Sequence, residues 1–137
     1  MFTKILVPVD ASDHSVRAMN VAIDLGRTMG AEVVVLHVRE HEATWAADVE
    51  LETLPEATEL VDAYVRTLKD ADVSARGEVL RAAHGRTPRV ILDIARAENA
   101  DLIVLGTRGL SEWSSILLGS VTHKVVHLAT CPVLVVR

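Results

Sequence analysis

The chain has 137 residues, 50% of them hydrophobic and 24% charged, a composition that fits one compact domain over residues 1–137 with a substantial core and leaves two domains cramped. Its formal net charge is -5 with no cluster of Lys and Arg, which argues against a nucleic-acid surface, because duplex binding needs many phosphates neutralised. No apolar run reaches the roughly 18 residues of a membrane span, Met1-Phe2-Thr3-Lys4 shows no export signal, and Cys131 has no second cysteine to pair with. A soluble cytoplasmic protein without membrane or nucleic-acid partners is the expectation.

Strand-like and helix-like patterns alternate along the chain. Lys4-Ile5-Leu6-Val7-Pro8-Val9 is a nearly continuous apolar run, as expected of a strand buried on both faces of a parallel sheet. It ends at Asp10. Ser12 or Asp13 can cap the following helix, where Ala18, Val21, Ala22, Leu25 and Met29 recur at helical spacing before Gly30 closes it. Glu32 to Val38 reads as a second buried strand. From Arg39 to Thr53 no period is sustained, which predicts a long, partly ordered loop. A helix from Pro55 to about Ala71 follows, with Ala57, Val61, Tyr64, Val65 and Leu68 on one face. A weaker strand covers about Ser74 to Arg81. Gly85-Arg86-Thr87-Pro88 predicts a third helix with Thr87 as its N-cap and Pro88 at its first position. Asp101 to Leu105 is the fourth strand, Val121 to Ala129 a fourth helix, and Val133 to Val136, entered through Pro132, the fifth strand.

Strands separated by helices imply a parallel sheet covered on both faces, here an α/β fold with five strands. Ligands of such sheets bind beyond the carboxyl ends of the strands where the winding reverses, so Asp10, Val38 and Gly106 should converge there. Gly106-Thr107-Arg108-Gly109, then Gly119-Ser120-Val121 at a helix start, is a pattern able to hold an anion on main-chain N–H groups. Gly106, Gly109 and Gly119 lack the β-carbon that would block a phosphate, and Ser120 adds a hydroxyl. Asp10 can take a ribose or base edge, and Val9 with Val38 can make an apolar slot for a purine. The plainer reading, in which the glycines only make turns and Asp10 only caps a helix, stays open at this level.

The spacing Gly106-x2-Gly109-x9-Gly119-Ser120 after Asp101-Leu102-Ile103-Val104-Leu105 resembles the ATP-binding signature of the universal stress protein family. Ile5 to Asp10 with Ser12, Leu36-His37-Val38, Gly85-x2-Pro88 and Cys131 to Val136 extend the likeness over the whole chain. The resemblance implies a doubly wound, Rossmann-like fold of the adenine nucleotide alpha hydrolase-like type, with strand order 3-2-1-4-5 and a homodimer through the last strand, residues 133–136. It places Pro8, Val9 and Val38 at the adenine, Asp10 at the ribose and adenine side, and Gly106, Arg108, Gly109, Gly119, Ser120 and Val121 at the phosphates and ribose. The ligand implied is ATP, with magnesium as an optional companion. Where many relatives carry Lys or Arg, this chain has Trp113, Ser114 and Ser115, which leaves Arg108 as the loop's cation. Trp113 reads as a packing or dimer residue rather than a stacking platform.

Other chemistries fit less well. No Gly-x4-Gly-Lys-Ser/Thr loop and no Gly-x-Gly-x2-Gly is present. His123 and His127 share a helix face without a third ligand in view, so no metal site is expected. His37 reads as a satisfied core histidine, His14 as a residue near enough to the crevice to reach a phosphate, and Cys131 as an inert buried thiol. Efficient phosphoryl transfer needs a positioned base and several charges, for which only Arg108, Ser120 and Asp10 are available. The expectation is a dimeric ATP-binding regulatory module of the stress response that signals to a protein partner and is not an enzyme. The alternatives are a slow ATPase or nucleotide-transferring enzyme at the same site and, more weakly, an ATP-free dimeric stress protein.

Overall fold

The computed structural model describes residues 1–107 and 118–137. In chain order the elements are β1 (Lys4–Pro8), α1 (Asp13–Met29), β2 (Glu32–Ala43), β3 (Asp48–Glu50), α2 (Leu54–Asp70), β4 (Ala75–Ala83), α3 (Thr87–Ala97), β5 (Leu102–Gly106), α4 (Ser120–Leu128) and β6 (Val133–Val136). Parallel pairing joins β4 to β2, β2 to β1, β1 to β5 and β5 to β6. Counting these five parallel strands in chain order gives 3-2-1-4-5, the order implied by the resemblance, with the winding reversing between β1 and β5.

The near-continuous apolar strands follow from burial on two faces. Ile5, Val7, Val33, Val35 and Val104 pack with Ala18, Met19 and Ala22 of α1 and Val61 and Leu68 of α2. Their neighbours Leu6, Val34, Leu36, Ile103 and Leu105 pack on the other face against Ile91, Leu92 and Ala95 of α3 and Val125 of α4. Successive side chains point to opposite faces, so a strand covered on both sides has no polar position to spare. Each fully buried aliphatic side chain contributes roughly 1.5–3 kcal/mol.

The helix ends are set by local chemistry. Ser12 caps α1 by accepting from Ser15 N, and Gly30 ends it in the left-handed region at φ 65°, where an L side chain would be strained. The buried stripe of α1 runs through Ser15, Ala18, Met19, Ala22 and Gly26, so Val21, Leu25 and Met29 lie at its margin. Thr53 and Glu56 make a capping box at the start of α2. At the N-terminal end of the sheet Asp101 accepts from Thr3 N and Thr3 Oγ1, both at 2.9 Å, and from Lys4 N at 3.0 Å, tying β1 to the start of β5.

Two expectations are corrected. The segment from Arg39 to Thr53 is not a loop: β2 continues to Ala43, and Asp48–Glu50 returns antiparallel against it, with His41 opposite Glu50 and Ala43 opposite Asp48. What repeats with period two there is charge. Asp48, Glu50 and Glu52 point to the face where Arg39, Arg81, His41 and His37 meet them. Thr87 is the first residue of α3 rather than its cap; Arg86 precedes the helix with no side-chain cap bond. The Thr87 hydroxyl instead donates to Glu40 Oε1 at 2.6 Å, because extended β2 brings that carboxylate within reach.

Candidate functional site

The position of β3 defines the crevice. A strand has two edges, and β4 fills one edge of β2 from Val33 to His41. The other is filled by β1 only as far as Leu36. Since His41 already has Ala83 on the β4 side, Glu50 must pair with it on the β1 side. β3 therefore occupies the space past the carboxyl end of β1, and among the described residues His37 to Glu40 are left between the two ladders with no strand partner on that edge. The Leu36 carbonyl accepts from Val9 N there at 2.8 Å. By the two-residue period of a strand, the N–H and C=O of Val38 point into the same gap.

Beside the gap, Asp10 opens the turn into α1. Its Oδ1 accepts from Ser12 N at 2.8 Å and Ser15 Oγ at 3.0 Å, and its own N–H donates to Ser15 Oγ at 2.8 Å. These bonds hold the carboxylate in place and leave Oδ2 without a partner among the described residues. The Tyr64 phenol, on α2, is pushed above its ordinary range by burial and by the nearby carboxylates of Asp10 and Asp13.

The third wall is the end of β5 and the start of α4, which are stitched together. Gly119 N donates to the Thr107 carbonyl at 2.6 Å, Thr122 Oγ1 to the Gly106 carbonyl at 2.7 Å, and Thr107 N to the Val136 carbonyl at 3.0 Å. Gly119 is the N-cap of α4, and among the described residues no side chain caps the helix. Among the described residues the N–H groups of its first turn meet no acceptor, and they stand at the positive end of the helix dipole, where an anion is favoured. Ser120 is exposed there, and Val121 is half-buried against the α3–α4 core.

The predicted residues come together unevenly. Asp10 follows β1 and Val38 lies in the carboxyl half of the neighbouring strand β2, and the Gly119–Thr107 bond brings Gly119 and Ser120 to the end of β5, the strand beside β1. Pro8 ends β1 opposite Leu36. Val9 is buried on the α1–α2 face while Val38 packs on the α3–α4 face, so their side chains do not form two sides of one slot. Gly106 is small for a different reason than phosphate approach: a β-carbon there would lie 2.7 Å from His14 Cβ and 2.8 Å from the His14 carbonyl oxygen. Its role is to let α1 pack on the end of β5. Arg108, Gly109, Trp113, Ser114 and Ser115 lie outside the described residues.

His37 is satisfied, as expected: it is buried, Nδ1 lies 2.7 Å from the Val9 carbonyl, and Nε2 meets the Glu52 carboxylate. A carbonyl only accepts, so Nδ1 carries its hydrogen. His14 Nδ1 lies 2.7 Å from Arg17 Nη2 and 3.4 Å from Thr107 Oγ1, at the rim of the crevice. Cys131 is half-buried rather than buried, and desolvation holds its thiol above the usual range. The sequence reading missed the β2–β3 hairpin and Tyr64 as neighbours of the crevice; the alternation of Asp48, Glu50 and Glu52 was the available signal for the hairpin.

The model of the universal stress protein family matches residues 1–137. Universal stress protein YxiE of Bacillus subtilis is 36% identical over 148 residues, covering the whole of both chains. A universal stress protein structure from Archaeoglobus fulgidus superposes with TM-score 0.80 at 26% identity over the full length of each chain. A structure of the Archaeoglobus fulgidus universal stress protein in complex with dAMP has TM-score 0.75 at 26% identity, over 98% of each chain. No helix among the described residues is long and apolar enough to cross a membrane. With a family match from the first residue to the last, on a sheet wound as that family's resemblance implied, the chain belongs to the universal stress protein family.

Proposed function

We propose that this chain binds an adenine nucleotide, ATP above all, and works as a nucleotide-dependent regulatory module rather than as an enzyme. The observation that carries the reading is that, among the described residues, the Val38 main chain, Asp10 Oδ2 and the first-turn N–H groups of α4 have no partner, each toward the carboxyl end of one of three adjacent strands, β2, β1 and β5. An extended residue offers a donor and an acceptor side by side, which matches the N1 acceptor and N6 amino donor of adenine. Asp10 Oδ2 suits a ribose hydroxyl. The α4 N–H groups, with Ser120 and Val121, take phosphate oxygens, and Gly119 leaves room for them. Pro8 and Val9 bound the base end, and in this reading Arg108 and Gly109, which follow the packing glycine Gly106 in sequence, would also serve the phosphates. Magnesium would come with the nucleotide, held by its phosphate oxygens near the start of α4. The dAMP complex of the relative from Archaeoglobus fulgidus supports an adenine ligand.

Turnover would need more than this. Asp10, Ser120 and Arg108 are few groups for stabilising a transferring phosphoryl group. In this reading the protein is cytoplasmic, is organised as one domain, and reports nucleotide occupancy to a protein partner. It forms a homodimer through Val133–Val136: β6 pairs with β5 on one edge only, and Leu134, Val126 and Leu128 are exposed beside it. Mass spectrometry of small molecules released from the purified protein, with calorimetric titration of ATP, ADP and AMP, tests the binding. Micromolar or tighter ATP affinity is expected; no heat at millimolar ATP refutes the reading. Several turnovers per second would move the protein among the enzymes, and a monomer by light scattering at micromolar concentration would remove the dimer.

A further inference from the structure

We propose that the β2–β3 hairpin is the outer wall of the base pocket, with Leu51 laid against the adenine ring and the ion pairs behind the hairpin holding it there. This rests on the adenine-nucleotide reading above and adds a residue and a device to it. The hairpin has two unlike faces. On one, Asp48 bonds Arg81 and His41, Glu50 bonds Arg81 at 2.7 Å and Arg39, and Glu52 bonds His37, while Arg39 Nη1 also donates to the Glu52 carbonyl at 3.3 Å. Arg81, by its hydrogen bonds, is the foremost cause that holds the Asp48 and Glu50 carboxyls below their ordinary range. On the other face stand Val49 and Leu51.

The register fixes where that second face looks. Glu42 pairs with Val49, and Leu51 follows just past the end of the ladder, its neighbours Glu50 and Glu52 both turned to the charged face. Glu40 reaches Thr87 and His84, at the start of α3. Val38, two residues before Glu40 and so on the same face, packs into the α3–α4 core. With Glu52 bonded through its carboxylate to His37 and through its carbonyl to Arg39, Leu51 is held beside the stretch of β2 that contains Val38. Leu51 is 65% exposed, an apolar side chain at the rim of a polar-lined gap.

Charge supports the same orientation. Glu40, Glu42, Asp48, Glu50 and Glu52 crowd the hairpin end, where a triphosphate would be repelled, whereas the α4 N-terminus attracts anions. The phosphates therefore lie toward Gly119 and the base toward Leu51, where apolar contact costs no desolvated charge. The wall favours a purine over a bare polyphosphate.

The test compares wild type, Leu51→Ala and Arg81→Ala by calorimetric titration with ATP and, separately, with inorganic tripolyphosphate. Leu51 is exposed, so its variant should fold as the wild type does, which far-UV circular dichroism checks. Leu51→Ala should weaken ATP binding about 3–10-fold, from the lost apolar contact, and leave tripolyphosphate binding unchanged. Arg81→Ala should weaken ATP binding in the same sense by loosening the wall, and amide hydrogen exchange of residues 44–53 should slow on ATP binding in wild type. If wild type binds ATP but Leu51→Ala stays within twofold of it, the wall is refuted and the adenine reading stands. If wild type binds tripolyphosphate as tightly as ATP, the base contributes nothing and the wall falls. If it binds no adenine nucleotide at all, the reading beneath the proposal falls with it.

Discussion

Two glycines, one at the end of β5 and one at the start of α4, separate packing from the proposed binding. Gly106→Ala places a methyl group 2.7 Å from His14 Cβ, 2.8 Å from its carbonyl oxygen and 3.0 Å from its carbonyl carbon. Two of these atoms are main chain in the first turn of α1, so no rotamer change relieves the clash. To restore an ordinary contact, the start of α1 must retreat by about 0.7 Å, and overpacking of this kind costs about 1–3 kcal/mol. For a chain of this length the melting temperature should fall by roughly 3–12 °C. The same retreat moves Ser12 and Ser15, which hold Asp10, so ATP affinity should fall too. Gly119 differs: at φ -66° and ψ 163° its backbone is extended and open to any residue. Gly119→Val should cost at most about 1 kcal/mol, for a poorer N-cap, while a branched side chain in the phosphate path lowers ATP affinity by about 100-fold or more. Urea unfolding followed by far-UV circular dichroism gives the stabilities, and calorimetric titration gives the affinities. A Gly106→Ala protein as stable as wild type would refute the packing role. A Gly119→Val protein that binds ATP normally would remove Gly119 from the site.

Three further outcomes can be checked on the unliganded protein. Burial pushes the Asp101 carboxyl up, but the bonds from Thr3 and Lys4 outweigh it and hold the group below its ordinary 3.8. Its contribution is therefore complete above that pH and fades as pH falls below it. Asp101→Asn should lose about 1 kcal/mol at pH 7, modest because the site is wet, and the two proteins should converge in urea midpoint towards pH 3; a constant difference would contradict the assignment. Leu68→Ala, at a fully buried position of α2, should cost about 2–5 kcal/mol by urea denaturation. A loss below about 1 kcal/mol would mean that α2 is not packed as described. The Cys131 thiol, raised by desolvation, should react with iodoacetamide at pH 8 several times more slowly than a free cysteine, a ratio near one being the contrary result.

The main sheet was legible because its strands carry a pattern with one physical meaning. Ile5 to Val9, Val33 to Leu36 and Leu102 to Leu105 have no polar position, and only a parallel sheet with helices on both faces buries every side chain of such runs. Ser12 and Gly30 also announce their roles, since each cap depends on the residue itself. Thr87 does not. Its hydroxyl is committed to Glu40, which is 47 residues away in sequence and arrives only because β2 overshoots β1. Gly106 likewise carries no mark of whether it makes room for a phosphate or for α1. That depends on how closely His14 approaches, a tertiary distance.

The hairpin shows the same limit from the other side, and it bears directly on function. Between Arg39 and Thr53 the apolar residues are sparse, so a search for hydrophobic periodicity finds nothing, although Asp48, Glu50 and Glu52 alternate strictly with Val49 and Leu51. Charged residues specify a strand only when opposite charges wait across the sheet, and Arg81 comes from a strand 31 residues beyond Glu50. A strand end that finds no ladder partner leaves donors and acceptors that must be met by water or by a ligand. β1 stops at Pro8 while β2 runs on to Ala43, and β3 returns only as far as Glu50. The opening at Val38 is the consequence of these unequal lengths. That opening is therefore a property of where three strands stop, which no single stretch of the sequence records.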